Sequence, residues 1–299
     1  MGREVITSAQ NPKIKELLAL QEKSRLRREK GLFVVEGRRE LEHCLNAGFR
    51  VRTVFVCPEI LPVPLDSGGN SPLGSLASLD PTIFDGPPAS VPRVARPSGA
   101  VPSGMSVIEV SRAVYEKIAY REGTEGIVAE VYAKGHRLED LRLSDRPLVV
   151  VLEAVEKPGN LGAVLRSADA AGADAVIVCD PATDLYNPNL IRASIGSVFT
   201  RQIAVCSSEE AIGWLKARGI RIYTAQLQDS EWYYDTDMMG GTAIVMGTEA
   251  TGLTDIWRQA ADAHIRIPML GQLDSLNVSV SAAILLFEAV RQRNSATRK

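Results

Sequence analysis

Apolar positions along the first 134 residues come in short, separated groups. In "NPKIKELLALQEKSRLRREK", residues 11–30, they recur at helical spacing among many cations, which predicts a basic helix. "GLFVVEG" is then a short strand ending at Gly37, "RRELEHCLNAG" an amphipathic helix closed by Gly48, and "VRTVFV" a second strand. "SVIEVSRAVYEKIAY" supplies a strand and a helix and "GIVAEVY" a last strand, so residues 1–134 predict a small α/β domain. Residues 58–104 interrupt it. They are rich in Pro, Gly and Ser and hold no helical or strand period. Such a composition buries too little apolar area to offset its ordering entropy, which predicts a flexible insertion.

Beyond a charged linker at 135–146 the pattern changes. The runs "LVVVLEAV", "AVIVCD", "RIYTAQ", "TAIVMG" and "HIRIP" alternate with helical patterns at 161–172, 189–195, 208–218, 254–260 and 278–293. Strands buried on both faces read as continuous apolar runs, so residues 147–299 predict a parallel sheet between two layers of helices. The chain of 299 residues is long enough for both domains.

Charge changes this picture only locally. The net charge is −2, which excludes a global basic field, yet residues 1–30 hold eight Lys/Arg against four Glu. On charge alone that is a solvated helix face. Cys44, Cys57, Cys179 and Cys206 lie far apart without a C-x-x-C pair, as expected of buried, reduced thiols rather than a zinc site or disulfide framework. His43, His136 and His264 have no metal-ligand spacing, so no metal is expected. The start lacks a signal-peptide core, and no apolar run reaches the roughly 18 residues of a membrane helix, which makes cytoplasmic the default.

Three stretches could carry chemistry. In "EKPGNLGAVLRSADAAG", 156–172, Leu161, Val164, Leu165 and Ala168 must face the sheet, while Gly162 and Arg166 take another face. Helical side chains lean toward the N-terminus, so Arg166 is expected to lie over bare Gly162 and present its guanidinium near the helix start. A phosphate there would meet arginine and backbone N–H groups together. Asn160 stands where an N-cap belongs and is read either as that cap or as a working residue. In "AIVMGTEATGL", 243–253, Gly247 at a strand's carboxyl end lets a backbone or ligand approach closely, and Glu249 and Gly252 follow. In "RIPMLGQLDSLNVSVSAAILLFEAVRQR", 266–293, Ser275 is a turn residue, Asn277 an N-cap, and Ser279, Ser281, Ala282 and Ala283 permit another element to cross the helix closely. A dinucleotide-dependent oxidoreductase is the competing enzyme reading. Asp180 could supply its acid, but the glycines do not give G-x-G-x-x-G, and no P-loop Lys-Ser/Thr follows.

In order and spacing these stretches resemble the SpoU (TrmH-like) RNA 2′-O-ribose methyltransferases of the SPOUT superfamily. The family's Asn-x-Gly-x-x-x-Arg is met by Asn160, Gly162 and Arg166, and its Gly-x-Glu-x-x-Gly-Leu by Gly247, Glu249, Gly252 and Leu253. Its Ile-Pro-Met and Ser-Leu-Asn-Val-Ser are met by Ile267, Pro268, Met269 and by Ser275 through Ser279. "NPNLIRASIGSVFTRQI", 187–203, is similar to the segment between the first two motifs, and the match spans about residues 145–293. "ITSAQNPKIKELLAL", "GLFVVEG" and "EGTEGIVA" are similar to the substrate-binding domain many members carry. Thr248 stands where relatives often have Asn, Glu156-Lys157 replaces a commoner Gln-Asp, and the 58–104 insertion is longer than usual.

The resemblance implies an α/β fold: a C-terminal parallel-sheet α/β/α domain with a deep trefoil knot, preceded by a smaller N-terminal α/β domain that binds the RNA substrate. It implies S-adenosyl-L-methionine held in the knot by Thr224, Gly247, Ile267 and Leu276, and a homodimer in which the first motif of one chain faces the knot of the other. Ribosomal RNA is favoured as substrate, with transfer RNA, or a non-catalytic RNA-binding protein of the same fold, as alternatives. Arg166 becomes the central catalytic residue, with Asn160, Ser275, Asn277 and Glu249 around it. It serves as general base or, since a guanidinium holds its proton, as the group that binds phosphate and steadies alkoxide charge. With an RNA substrate, Lys23, Arg25, Arg27, Arg28 and Arg38 become phosphate contacts.

Overall fold

A computed structural model describes residues 4–61, 105–120, 125–248, 251–272 and 274–297. All but the first four residues of the 58–104 insertion, and Glu249, lie outside the described residues. The chain divides into two compact units, Met1–Lys134 with Tyr186–Pro188, and Gly135–Leu185 with Asn189–Lys299.

The first unit holds strands β1 (Glu4–Ile6), β2 (Leu32–Glu36), β3 (Val51–Val56), β4 (Ser106–Val110) and β5 (Ile127–Tyr132) in the order β1-β4-β3-β5-β2. β1, β4 and β3 are parallel, while β5 runs antiparallel to β3 and β2. Its helices are α1 (Pro12–Glu22), α2 (Ser24–Lys30), α3 (Arg38–Asn46) and α4 (Arg112–Ile118). Ile14, Leu17 and Leu20 of α1 and Val114, Tyr115 and Ile118 of α4 close over Leu32, Val34, Phe55, Ile108 and Val128 of the sheet.

The single basic helix expected over 11–30 is broken. Lys23 is extended (φ −107°, ψ 105°), and Arg27, only 4% exposed, turns back to donate to the carbonyls of Leu20 at 2.6 Å and Gln21 at 2.9 Å. Those carbonyls belong to the last turn of α1, where no intrahelical donor reaches, so the guanidinium finishes one helix from inside the next.

A buried carboxylate also marks this unit. Glu130 on β5 is 3% exposed, and Arg52 bridges it at 3.7 Å to Glu16 at 2.9 Å. Burial holds the Glu130 carboxyl above its ordinary range, against the opposing pull of Arg52 and a hydrogen bond from Thr53.

The second unit is a seven-stranded sheet of β6 (Leu148–Glu153), β7 (Ala175–Cys179), β8 (Gln202–Cys206), β9 (Arg221–Ala225), β10 (Glu231–Trp232), β11 (Thr242–Met246) and β12 (Ala263–Arg266). Their order is β10-β12-β9-β11-β6-β7-β8, and every pairing is parallel. Helices α5 (Pro158–Ala170), α6 (Pro188–Ser194), α7 (Ser197–Thr200), α8 (Ser208–Ala217), α9 (Asp255–Ala260) and α10 (Val278–Thr297) connect and cover it. Residues 135–146, read as a charged linker, are built into this unit. Leu138 and Leu141 enter its core, and Val205 N donates to His136 O at 2.8 Å.

Among the described residues the four cysteines are free thiols, with Cys206 only half-buried. No helix of the described residues is long and apolar enough to cross a membrane.

Candidate active site

Because all seven strands run the same way, the loops after β6, β9, β11 and β12 gather at one edge of the sheet, where open parallel sheets take their ligands. The three motif stretches lie in those loops and at the helix starts that follow them.

α5 begins earlier than expected. Pro158 occupies its first turn and Lys157 is the N-cap, so Asn160 sits within the helix and its N–H bonds Lys157 O at 3.1 Å. Its side chain is therefore released from capping, and Asn160 Oδ1 accepts a hydrogen bond from Asn277 Nδ2 at 3.2 Å. Asn277 caps α10 as expected: its Oδ1 receives Ser279 N at 3.0 Å and Ser279 Oγ at 2.7 Å. One amide thus starts a helix with its oxygen and joins the first motif with its nitrogen.

Gly162 has a packing role. A Cβ there would stand 2.7 Å from Ala193 Cβ and 2.8 Å from Ser194 N, so the glycine is needed for the close approach of α6. Arg166 is exposed, and its side chain makes no hydrogen bond or ion pair with the described residues. A free guanidinium two turns into a helix whose first turn carries Asn160 is placed to meet an anion from solvent.

At the end of β11, a Cβ on Gly247 would stand 2.2 Å from Gly252 O. The loop turns back on itself: Thr248 and Gly252 exchange both backbone bonds, at 3.2 and 3.1 Å, and Gly252 has φ +70°. Thr248 Oγ1 accepts from Thr251 N at 3.0 Å, so this hydroxyl shapes the loop. Glu249 lies in the undescribed part.

Thr224 is fully buried, flanked in register by Val245 on β11 and His264 on β12, and its Oγ1 lies 2.6 Å from His264 Nδ1. Its side chain is thus taken, and the strand opens two residues on. There Gln226 N donates to Ile265 O at 3.0 Å, while the buried Gln226 Oε1 has no partner among the described residues. Ile267 directly follows β12, Ser275 Oγ donates to Asp274 Oδ1 at 3.3 Å, and Leu276 is 39% exposed. Among the described residues, Asn160 and Asn277 meet directly, and Thr224, Gly247 and Ile267 lie at or next to the ends of neighbouring strands.

The proposed RNA contacts, all in the first unit, separate by environment. The Lys23 and Arg28 side chains are exposed and unpaired among the described residues. Arg25 pairs with Glu29 at 2.7 Å and Arg38 with Glu42 at 3.5 Å, and Arg27 is withdrawn into the α1–α2 corner.

Sequence reasoning missed Glu153, the last residue of β6. It is 4% exposed, and its carboxylate accepts from Thr254 N at 2.9 Å and Thr254 Oγ1 at 2.5 Å. Ser208 Oγ lies 3.3 Å from it, donates to Asp180 Oδ2 at 2.7 Å and accepts from Trp257 Nε1 at 3.0 Å. The available signal was an acid closing the otherwise apolar run "LVVVLE". Close by, Cys179 and Cys206 are register partners on β7 and β8; their hydrogen bond and burial push the Cys179 thiol up, and the same bond draws Cys206 down. Among the described residues no three His, Cys, Asp or Glu side chains gather as a metal site would need.

Comparison with known proteins agrees with this geometry. The family model described as "SpoU rRNA Methylase family" matches residues 147–287, and one described as "MRM3-like substrate binding domain" matches residues 11–77. A 23S rRNA (guanosine-2'-O-)-methyltransferase RlmB from Vibrio parahaemolyticus is 35% identical over 199 residues, 64% of this chain and 81% of that protein. A 23S rRNA (uridine(2479)-2'-O)-methyltransferase from Streptomyces viridochromogenes is 35% identical over 181 residues, 58% of this chain and 63% of the relative's length. Among solved structures, an AdoMet-bound rRNA methyltransferase from Sinorhizobium meliloti superposes with a TM-score of 0.79 at 28% identity, covering 96% of this chain and 97% of that one.

Proposed function

The chain belongs to the SpoU rRNA methylase family, and from that premise we propose that it transfers a methyl group from S-adenosyl-L-methionine to a ribose 2′-hydroxyl of ribosomal RNA. The observation that carries the reading is the Asn160–Asn277 hydrogen bond. It ties the first motif to the third in one chain, beside an exposed Arg166 with no partner among the described residues.

The cofactor fits the strand ends. Gln226 Oε1 is buried there without a partner among the described residues, and the backbone beyond Thr224, at Gly247 and at Ile267 lies at neighbouring strand ends. When bound, S-adenosyl-L-methionine supplies an electrophilic methyl on a sulfonium. The protein's own task is to present the ribose hydroxyl in line and to steady the charge its oxygen gains as its proton passes to solvent water. Arg166 holds the neighbouring phosphate and stabilises that oxygen, since a guanidinium does not give up its proton as a base would. Asn160, Asn277 and Ser275 orient the ribose, and Glu249 anchors the loop after Gly247.

Residues 1–134 bind the RNA, through Lys23 and Arg28 above all, and residues 147–299 carry the reaction. The C-terminal segment is knotted: β12 follows β11 in the chain yet lies beyond β9 in the sheet, and α10 then returns to pack on α5, which supports that reading. Two such chains pair in the cytoplasm. The exposed apolar side chains Leu276, Val280 and Phe287 on and before α10 support an interface there. The ribosomal names of the relatives favour ribosomal over transfer RNA.

The test is methyl transfer from labelled S-adenosyl-L-methionine to RNA from cells lacking the gene, with nucleoside mapping of the product. A 2′-O-methylated nucleotide in ribosomal RNA is expected. Label in transfer RNA alone would move the substrate, and bound cofactor without any 2′-O-methyl product would leave a non-catalytic RNA-binding protein.

A further inference from the structure

Glu153 is nearly withdrawn from solvent, yet among the described residues no lysine or arginine pairs with it. A buried carboxylate without a cation is costly unless donors satisfy its oxygens. Here the two nearest donors are the main-chain and side-chain groups of one residue, Thr254, with the Ser208 hydroxyl farther off at 3.3 Å. A position that needed only packing would take another valine or leucine like the five residues before it. The carboxylate is explained by what it holds.

Two working segments meet at that carboxylate. On one side, β6 continues through Ala154, at φ +50°, into the turn that opens α5 and delivers Asn160. On the other, Thr254 is the residue where the loop after Gly247 ends and α9 begins. As the N-cap of α9, Thr254 should give its hydroxyl oxygen to its own helix, but no such capping bond forms. Its hydroxyl is turned to Glu153 instead, and Ser208, itself held by Asp180 and Trp257, backs the carboxylate. The loop is thereby fastened to the sheet at its exit, independently of the Thr248–Gly252 bonds that close it upon itself.

We propose that Glu153 is a positioning residue for methyl transfer: through Thr254 it fastens the segment Gly252–Leu253, on the cofactor side, to the strand that leads to Asn160. A carboxylate suits this because it accepts both Thr254 donors and offers none, whereas a glutamine must turn an N–H toward one of them or leave it unpaired. The inference rests on the methyltransferase reading.

The test uses the full-length protein and the variants Glu153→Gln, Thr254→Val, Thr254→Ser and the Glu153→Gln/Thr254→Val double. Calorimetry with S-adenosyl-L-methionine, steady-state kinetics, RNA binding and thermal melts are compared. Glu153→Gln and Thr254→Val should each weaken cofactor binding and raise its KM by about tenfold, with kcat and RNA affinity changed by less than about threefold. The double variant should bind cofactor no worse than the weaker single, because both changes cut one connection. Thr254→Ser, which keeps the hydroxyl, should restore binding. The proposal is overturned if folded Glu153→Gln binds cofactor as the unaltered protein does, if Thr254→Ser fails like Thr254→Val, or if cofactor and RNA affinities fall together in step with melting temperature. Should Glu153→Gln not fold, the Thr254 pair decides. An unaltered protein that binds no cofactor would instead refute the methyltransferase reading.

Discussion

Asn160 and Asn277, 117 positions apart, share one hydrogen bond, and its direction is set by a helix start: Asn277 Oδ1 is committed to Ser279, so its Nδ2 faces Asn160. Capping and the junction of two motifs can therefore be separated. Asn277→Asp keeps a good cap but loses the donor, and should melt within about 0.5 kcal/mol of the unaltered protein while turnover falls at least tenfold. Asn277→Ala should lose both functions, with roughly 1 kcal/mol of stability. If Asn277→Asp retains full turnover, the junction is structural only.

Arg166 is the next point of attack. Arg166→Lys keeps the charge but not the planar fork, and should lower turnover by about a hundredfold or more while cofactor affinity, measured by calorimetry, stays within about twofold. Equal losses of both would put Arg166 in the cofactor site instead.

The basic segment separates into two kinds of arginine. Lys23→Ala and Arg28→Ala should each weaken RNA binding and reduce the slope of log affinity against log salt by about 0.7 to 0.9. Arg27→Ala should leave that slope unchanged and lower the melting temperature, because its guanidinium is spent on the Leu20 and Gln21 carbonyls.

Two glycines stand under close backbones. Gly162→Ala should cost about 1–3 kcal/mol, since neither the α6 backbone nor Ala193 can yield easily. Gly247→Ala, with Gly252 O in the way, should open the 248–252 loop and abolish cofactor binding in a chain whose sheet still melts cooperatively.

Glu130 gives the pH dependence a sign. Burial raises its folded carboxyl pKa above the unfolded value, so the folded state binds its proton more tightly. That advantage is complete below the unfolded value and is lost as pH rises through the folded one. Melting the protein beside Glu130→Gln from about pH 4 to 7 should show the unaltered protein losing ground as pH increases. A constant difference would mean that Arg52 fully compensates the burial.

Hydrophobic spacing was enough to find β2, β3, β6, β7 and β11, because each buries a continuous run, and the parallel sheet followed from them. β1 and β10 escaped notice: three and two residues carry no readable period, and their partners β4 and β12 are distant in sequence. β8 was hidden at the end of a stretch read as one segment. The break at Lys23 depends on where the Arg27 guanidinium goes, and composition records only that it is basic. The misplaced cap at Asn160 was avoidable, since Pro158 is a first-turn signal. The motif residues announced themselves by type and order, but the Asn160–Asn277 bond and the Glu153–Thr254 bonds bridge more than a hundred positions each and needed coordinates.

The uniform strand direction of the second sheet also divides the unit into a rim that works and a rim that only turns the chain around. On the latter, the connection from α8 to β9 passes Gly219, at φ +64° with open space where a Cβ would stand, far along the strands from Asn160 and Gly247. That turn is where a fluorophore, an affinity handle or a short inserted peptide belongs, with the proposed RNA and cofactor sites left clear at the opposite rim.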